Sequence, residues 1–459
     1  MTVAGGELGG RVGRGARLAR TGALSLAGLA AAKARELSSG EISVETHQEI
    51  ATRLAEVLGE MKGGAMKLGQ ILSFVDFDMP AEVQDAYHDV LAQLRDAAPP
   101  MDSDAIRRVV TDAYAAPPEE VFDEWSDEPL AAASIGQVHR ARLHDGTPVA
   151  VKVQYPGVAA AVRADLDNAE TFTPLARLIS PNLDIGSLME ELRDRVEDEL
   201  DYAREASYQN AFATRWRDHP FVYVPSVHRD LCREYVLVSD LVEGQTFDQV
   251  AANGSDERKQ WLGEIIFRYA FGSLARFRFF NGDPHPGNYL VMDDKVAFID
   301  YGAVKMFTRD QYRQMRAIDE ATIQNDRARF ERALREVGII PQGVQTKVDV
   351  LWELYRKLAR PILAEQPFTY TREFAAEVIS MGTDFRSPLM GVIRDLNFPP
   401  EYLVLNRIQV GLNSVLGRLS ARNDWVAVRA ELLGSQGPAT ALGELEAEWL
   451  ANRGGPAIG

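Results

Sequence analysis

The stretch FNGDPHPGNYLVMDDKVAFIDYGA, Phe280 to Ala303, spaces three polar residues, Asp283, Asn288 and Asp300, along short apolar segments. The apolar run Asn288 to Met292, the Asp293-Asp294 pair and the apolar run Lys295 to Ile299 predict a hairpin with Asn288 and Asp300 at its two strand ends. An amide oxygen and a carboxylate so placed can face one Mg²⁺, a cation that takes oxygen ligands. Asp283 stands five residues before Asn288, in the D-x-x-x-x-N spacing that joins a catalytic base to a metal-binding Asn in phosphoryl transfer. The chemistry indicated is phosphoryl transfer on Mg-ATP. The competing reading of this fragment alone is a hairpin with acidic loop ends.

Such a site needs groups that hold phosphates, and candidates lie upstream. In VAVKV the period-two rule puts Val149, Val151 and Val153 on one strand face and Ala150 with Lys152 on the other, so the lysine needs a partner. AAASIGQV, with Ala131, Ala132, Ala133, Ser134, Gly136, Gln137 and Val138, supplies small residues where a phosphate-covering loop belongs, since small side chains let backbone N–H groups approach phosphate oxygens. EDELDYAREASYQNAF reads as one helix with three acids. At about 100° per residue, Asp201 and Glu205 share a face while Glu199 points roughly 120° from Glu205, so one helix can serve two partners. The order of small-residue hairpin, strand lysine, acidic helix, hinge-like strand, D-x-x-x-x-N and Asp300-Tyr301-Gly302 is that of kinases.

The whole chain bounds these readings. With 459 residues and 46% hydrophobic content it has room for several domains and a large core. A net charge of −17 argues against a sequence-independent grip on nucleic acid, and the lone Cys232 excludes an internal disulfide framework, in keeping with a cytosolic setting. Residues 1–40 read as a basic leader in which Arg11, Arg14, Arg17 and Arg20 precede TGALSLAGLAAA, suited to an anionic membrane surface or to disorder. Residues 41–120 read as a helical extension, 121–243 as a small α+β lobe with a helical insertion, 244–450 as a mainly helical lobe and 451–459 as a loose tail. An Asp145-Gly146 pair between alternating segments predicts a second hairpin.

From these motifs the sequence resembles the UbiB family of atypical kinase-like proteins, tied to coenzyme Q and other prenyl lipids. KLGQ, Lys67 to Gln70, is similar to the family's K-x-G-Q signature, AAASIGQVHRA to its alanine-rich loop, ELDYAREA to its E-x-D helix and DPHPGN to its catalytic loop. The resemblance implies an α+β, two-lobed protein-kinase-like fold with an N-terminal helical extension. It further implies that Lys152 holds phosphates and pairs with Glu205, that Asp283 is the catalytic aspartate, that Asn288 and Asp300 ligate Mg²⁺, and that backbone groups of Asp240 to Val242 meet adenine. By the same resemblance Glu199 and Asp201 face the helix bearing Lys67 and Gln70. Those two long polar side chains suit a phosphate-bearing pocket, so the helical extension is expected to fold over the site and restrict its acceptors to water or small molecules.

Two departures stand out: Asn281 where the family carries a histidine, and Tyr301 where kinases carry phenylalanine. The first bears on the backbone support of the loop, and the second adds a hydroxyl that needs a partner if buried. The reading is a cytoplasmic ATPase or atypical kinase, peripheral at the membrane, that binds Mg-ATP or Mg-ADP and supports isoprenoid-quinone or other prenyl-lipid metabolism, with a prenyl lipid or quinone precursor and lipid-modifying enzymes as partners. The alternatives are a weakly catalytic pseudokinase scaffold and a small-molecule phosphotransferase of the aminoglycoside-kinase type.

Overall fold

The computed structural model describes residues 101–132, 135–160, 163, 193, 197–383, 391–392 and 395–453. The basic leader, the KLGQ motif with Lys67 and Gln70, and Ala133 and Ser134 lie outside the described residues. Helix α1 (Ser103–Tyr114) begins where the Asp102 side chain accepts the Asp104 N–H, and Pro118 opens the four-residue helix α2 (Pro118–Val121). Strands β1 (Glu124–Ala132), β2 (Gly136–Arg142) and β3 (Pro148–Gln154) follow, then helix α3 (Tyr202–Arg215), β4 (Val222–Tyr223), β5 (Val236–Asp240) and β6 (Gln245–Thr246). Helices α4 (Phe247–Asn253) and α5 (Asp256–Phe277) lead to β7 (Phe279–Asn281), the hairpin β8 (Tyr289–Val291) and β9 (Val296–Phe298), and β10 (Val304–Met306). The remainder is α6 (Arg309–Ile323), α7 (Arg327–Glu336), α8 (Val348–Leu358), α9 (Arg360–Leu363), β11 (Phe368–Thr369), α10 (Arg372–Thr383), α11 (Pro400–Arg418), β12 (Arg422–Asn423), α12 (Trp425–Leu432) and α13 (Ala441–Asn452).

The described residues divide between two compact units. Those up to Val121, Ser126–His139 and Lys152–Leu200 form one, and Phe122–Trp125, Arg140–Val151 and the chain from Asp201 onward form the other. Strands β1, β2, β3 and β5 stand in that order in one four-stranded sheet, and a second sheet has the order β4-β9-β8-β6. The Asp145-Gly146 pair does make the turn between β2 and β3: Gly146 donates to the Leu143 carbonyl and Leu143 to that of Thr147, both at 2.8 Å. The alternation expected of β3 holds, with Val149, Val151 and Val153 fully buried and Ala150 and Lys152 half-buried. In the smaller unit the buried Gln137 side chain accepts the Met101 N–H at 2.9 Å and meets His139 Nε2 at 2.8 Å, which seats the chain ahead of α1 against β2.

The core of the larger unit is an apolar cluster running from Phe212 on α3 and Trp216 just after it through α5 to Trp425, Val428 and Trp449. Full burial of each large side chain there contributes roughly 1.5–3 kcal/mol. A smaller cluster joins α6, α7 and α8 through Ile318, Phe330, Leu334, Leu351 and Trp352. The strand in EYVLVSDLVEG ends at Asp240, where Leu241 leaves it and donates to the Pro148 carbonyl. Two expectations from the sequence need correction. The chain beyond Phe247 is less purely helical than its composition suggests, for β7 pairs with β10 and β11 with β12. The supposed single helix through Glu199 to Glu205 is broken at Asp201, whose side chain caps α3. Among the described residues no helix is long and apolar enough to cross a membrane.

Candidate functional site

The hairpin that carries the candidate metal ligands forms as the sequence predicts. Tyr289 pairs with Phe298, Leu290 with Ala297 and Val291 with Val296; Met292 donates to the Lys295 carbonyl across Asp293-Asp294 at 2.8 Å, and its own carbonyl accepts from the Arg258 guanidinium. Ile299 donates to the Asn288 carbonyl at 3.1 Å, so Asn288 and the residue before Asp300 face each other at the open end. The run ahead of Asn288 is a short 3₁₀ turn, Pro286–Asn288, capped where His285 Nδ1 accepts the Gly287 N–H at 3.0 Å. This turn brings Asn288 back onto Asp283. Asn288 Nδ2 donates to the Asp283 carbonyl and to its Oδ2, both at 3.1 Å. With the amide nitrogen so committed, Asn288 Oδ1 is its remaining ligand atom, and an amide oxygen and a carboxylate such as that of Asp300 are the hard-oxygen type suited to Mg²⁺.

Asn281 gives the loop the support that its departure from the family pattern placed in question. Its Nδ2 donates to the Asp300 carbonyl at 2.8 Å, and its Oδ1 accepts the Asp283 N–H at 3.4 Å, long for a hydrogen bond. One amide thus ties the Asp283 loop to the Asp300-Tyr301-Gly302 tripeptide. The backbone does the same next door: Val304 pairs with Asn281, and Gly282 donates to the Ala303 carbonyl at 2.5 Å. A Cβ at Gly282 would sit 2.3 Å from the Ala303 oxygen, so this close approach requires glycine. The Asp300 carboxylate is oriented in turn by the Gly302 N–H, which donates to its Oδ1 at 3.1 Å.

The Tyr301 hydroxyl finds its partner as well. Tyr301 is fully buried, its ring 5.0 Å from that of Phe212 on α3, and it accepts the Tyr269 hydroxyl of α5 at 3.1 Å. Burial pushes both tyrosines well above their usual range, so the pair stays neutral and serves as a packed hydrogen-bonding post under the tripeptide. Sequence reasoning missed Tyr269, since nothing in the spacing of α5 singles it out from the other core residues of that helix.

The remaining predicted residues distribute as follows. Ala131 and Ala132 end β1 on exposed positions, and Gly136 is buried with Val138 half-buried on β2. The Gln137 side chain turns inward as described, so only its backbone can serve a ligand. Glu205 lies in the first turn of α3 with 2% of its surface exposed, a buried carboxylate that must be compensated. Asp201 is exposed and its Oδ1 accepts the Arg204 N–H at 2.9 Å, so its visible work is to start α3 one residue after the preceding helical turn stops. The helical-wheel argument that gave Glu199 and Asp201 separate faces therefore rests on a continuity that the backbone lacks.

At the hinge-like segment the Asp240 N–H donates to the Ser226 carbonyl at 2.9 Å and the Leu241 N–H to Pro148 at 3.1 Å. Neither N–H is available to a ligand, which leaves the Asp240 carbonyl among the backbone groups of that residue. Among the described residues no backbone partner takes the Val242 N–H. The Asp240 side chain is spent locally, accepting from Tyr223 Oη and the Ser226 N–H at 3.1 Å and facing His228 Nε2 at 2.9 Å. Burial first, and Asp240 second, push the Tyr223 hydroxyl up to about 12. This network fixes the end of β5, and with it the line of the segment that follows.

The ABC1 atypical kinase-like domain matches residues 93–334, more than half of the chain. The mitochondrial atypical kinase coq-8 of Caenorhabditis elegans is 28% identical over 379 residues, covering 81% of this chain and 49% of its own. The mitochondrial atypical kinase COQ8B of Rattus norvegicus is 29% identical, covering 76% of this chain and 66% of its own. The chain thus spans about half to two-thirds of the length of these relatives. Among solved structures, the Rv3197–erythromycin complex from Mycobacterium tuberculosis shares 30% identity, covers 85% of this chain and 98% of its own, and superposes with a TM-score of 0.61. The α+β architecture is kinase-like, and the chain belongs to the ABC1, or UbiB, family of atypical kinase-like proteins.

Proposed function

We propose that this chain is an ATPase of the atypical kinase family that binds Mg-ATP or Mg-ADP and supports isoprenoid-quinone or other prenyl-lipid metabolism. The observation that carries the nucleotide reading is the Asp283–Asn288 contact at the open end of the β8–β9 hairpin, beside Asp300. When bound there, Mg²⁺ neutralises charge on the phosphates. Asn288 Oδ1 and the Asp300 carboxylate are the residues assigned to hold it. Lys152 is assigned to the phosphates, and by the family resemblance the buried carboxylate of Glu205 is assigned to it as partner. The Asp240 carbonyl and the Val242 N–H are assigned to adenine.

In the hydrolysis a water oxygen bonds to the γ-phosphorus while the bond from that phosphorus to the β,γ-bridging oxygen breaks. ADP leaves with the electron pair, and the water's proton passes to the Asp283 carboxylate, which Asn288 Nδ2 holds in place. The lipid-pathway part rests on the family and on the relatives that bear the COQ8 name. A cytoplasmic, membrane-peripheral location belongs to the same reading.

ATP turnover by the purified protein tests it, measured with and without anionic liposomes and a quinone-precursor mimic, with erythromycin as a further arm because a relative was solved with that macrolide. Sustained ADP release that rises with the liposomes or the mimic is the expected result. Nucleotide binding with no turnover in any arm would replace the ATPase by a scaffold.

A further inference from the structure

Helix α3 carries Glu205 in its first turn, and its far end is held by residues that have no part in the nucleotide site. The last carbonyls of a helix lack partners within it. Here Trp216 N–H takes the Phe212 carbonyl at 2.8 Å, and the Arg453 guanidinium, which follows α13, donates to both the Arg215 carbonyl and, at 3.0 Å, the Thr214 carbonyl. A forked cation on those carbonyls also sits at the negative end of the helix dipole. One residue beyond, Trp449 Nε1 of α13 donates to the Arg217 carbonyl at 2.9 Å. The Trp449 ring stacks on Trp216 at 5.9 Å and 7°, and Arg453 lies over it at 4.8 Å.

Helix α13 is itself anchored. The fully buried Glu446 meets Arg268 at 2.8 Å and Arg276 at 2.5 Å, both on α5. Helix α5 runs directly into β7 and Asn281. A packed path therefore leads from the strand ahead of Asp283, through α5 and α13, to the end of the helix that bears Glu205. Its members are charge pairs and stacked rings, which hold one arrangement better than loose apolar contacts do.

We propose that Trp449 and Arg453 are positioning residues for Glu205: by clamping the end of α3 to α13 they set where its first turn stands. The proposal rests on the nucleotide-site reading above for the role of Glu205. The bland alternative is that the clamp adds stability and nothing else.

The test uses the full chain as parent, Arg453→Ala, Trp449→Phe, which keeps the stacking and loses the N–H, and Arg453→Lys, which keeps the charge and loses the fork. Arg429→Ala, which removes an ion pair with Asp319 elsewhere in the same unit, is the stability control. Two quantities are read: hydrogen exchange of the backbone amides of residues 203–207 without nucleotide, and affinity for Mg-ADP.

Arg453→Ala and Trp449→Phe should speed exchange at 203–207 and weaken Mg-ADP about three- to tenfold, as expected when the binding-competent population falls by that factor. Arg453→Lys should recover part of both, and Arg429→Ala should move neither. Parent-like exchange and affinity in both clamp variants would overturn the proposal, as would the same changes in Arg429→Ala, or faster exchange with unchanged affinity. A parent that does not bind Mg-ADP defeats the nucleotide reading instead, and the exchange measurement then decides the clamp alone.

Discussion

Glu446→Gln is the substitution whose cost the structure defines best. Glu446 has no exposed side-chain surface, and around it two guanidiniums, Arg268 and Arg276, face Glu264, Glu431 and Glu446. His219 completes the cluster. Its Nδ1 accepts the Val222 N–H at 3.1 Å, which leaves the proton on Nε2, 3.4 Å from Glu446 Oε1. Burial alone would push the Glu446 carboxyl up, but His219 and Arg276 outweigh it and hold the group at about 2 against the usual 4.5. At about 1.36 kcal/mol for each factor of ten, the charged form is favoured by about 3 kcal/mol. Glutamine keeps the shape and removes that charge, leaving two buried arginines with two carboxylates, and losing one partner of a buried pair costs about 3–5 kcal/mol. A loss of this size lowers the thermal midpoint by roughly 6–20 °C in a unit of a few hundred residues.

The assay is thermal unfolding by circular dichroism as a function of pH. A carboxyl whose folded value is depressed contributes stability above about 4.5, and that contribution is lost as pH falls toward about 2. The parent should therefore lose stability through that window, and Glu446→Gln, already lower at pH 7, should lose less there. A midpoint at pH 7 within about 2 °C of the parent would refute the reasoning, and would mean that desolvation cancels the attraction in this cluster.

Removing the Asn281 side chain should act on the site more than on the fold. Asn281→Ala leaves the Asp300 carbonyl without its 2.8 Å donor, a loss of about 1–3 kcal/mol, and should weaken Mg-nucleotide binding about tenfold in titration calorimetry. Asn281→His, the residue the family carries there, should recover most of it; binding by Asn281→Ala equal to the parent would remove the tie from the mechanism. Lys152→Ala should weaken nucleotide binding while the circular dichroism spectrum stays that of the parent, and a folded variant with normal affinity would break the assignment of β3 to the phosphates.

The parts of the fold legible in the sequence are those with a local physical signal. The β8–β9 hairpin and the β2–β3 turn show apolar alternation around a turn pair. The pairing of β7 with β10 was not legible, because three-residue strands give no period to count and their register is set by the close approach of Gly282 and Ala303. The break at Asp201 was hidden for a different reason: an aspartate between helical runs fits either an exposed helix face or a cap, and tertiary packing chooses. Of the site, the spacing of Asp283, Asn288 and Asp300 carried most of the information. The role of Asn281 was not readable, since its meaning lies in contacts with Asp300 and Asp283 that only the returning hairpin creates. The buried cluster around Glu446 joins residues more than 170 positions apart, beyond any sequence window.

The measurement that bears most directly on the account is calorimetric titration of ADP into the parent and into Asp300→Asn, each with Mg²⁺ and with a chelator. The account predicts that the parent binds ADP more tightly with Mg²⁺ and that Asp300→Asn, folded as judged by circular dichroism, loses this Mg²⁺ dependence, because a neutral amide cannot supply the charge of the carboxylate. Equal Mg²⁺-dependent affinity in the two proteins would take Asp300 out of the site and contradict the account.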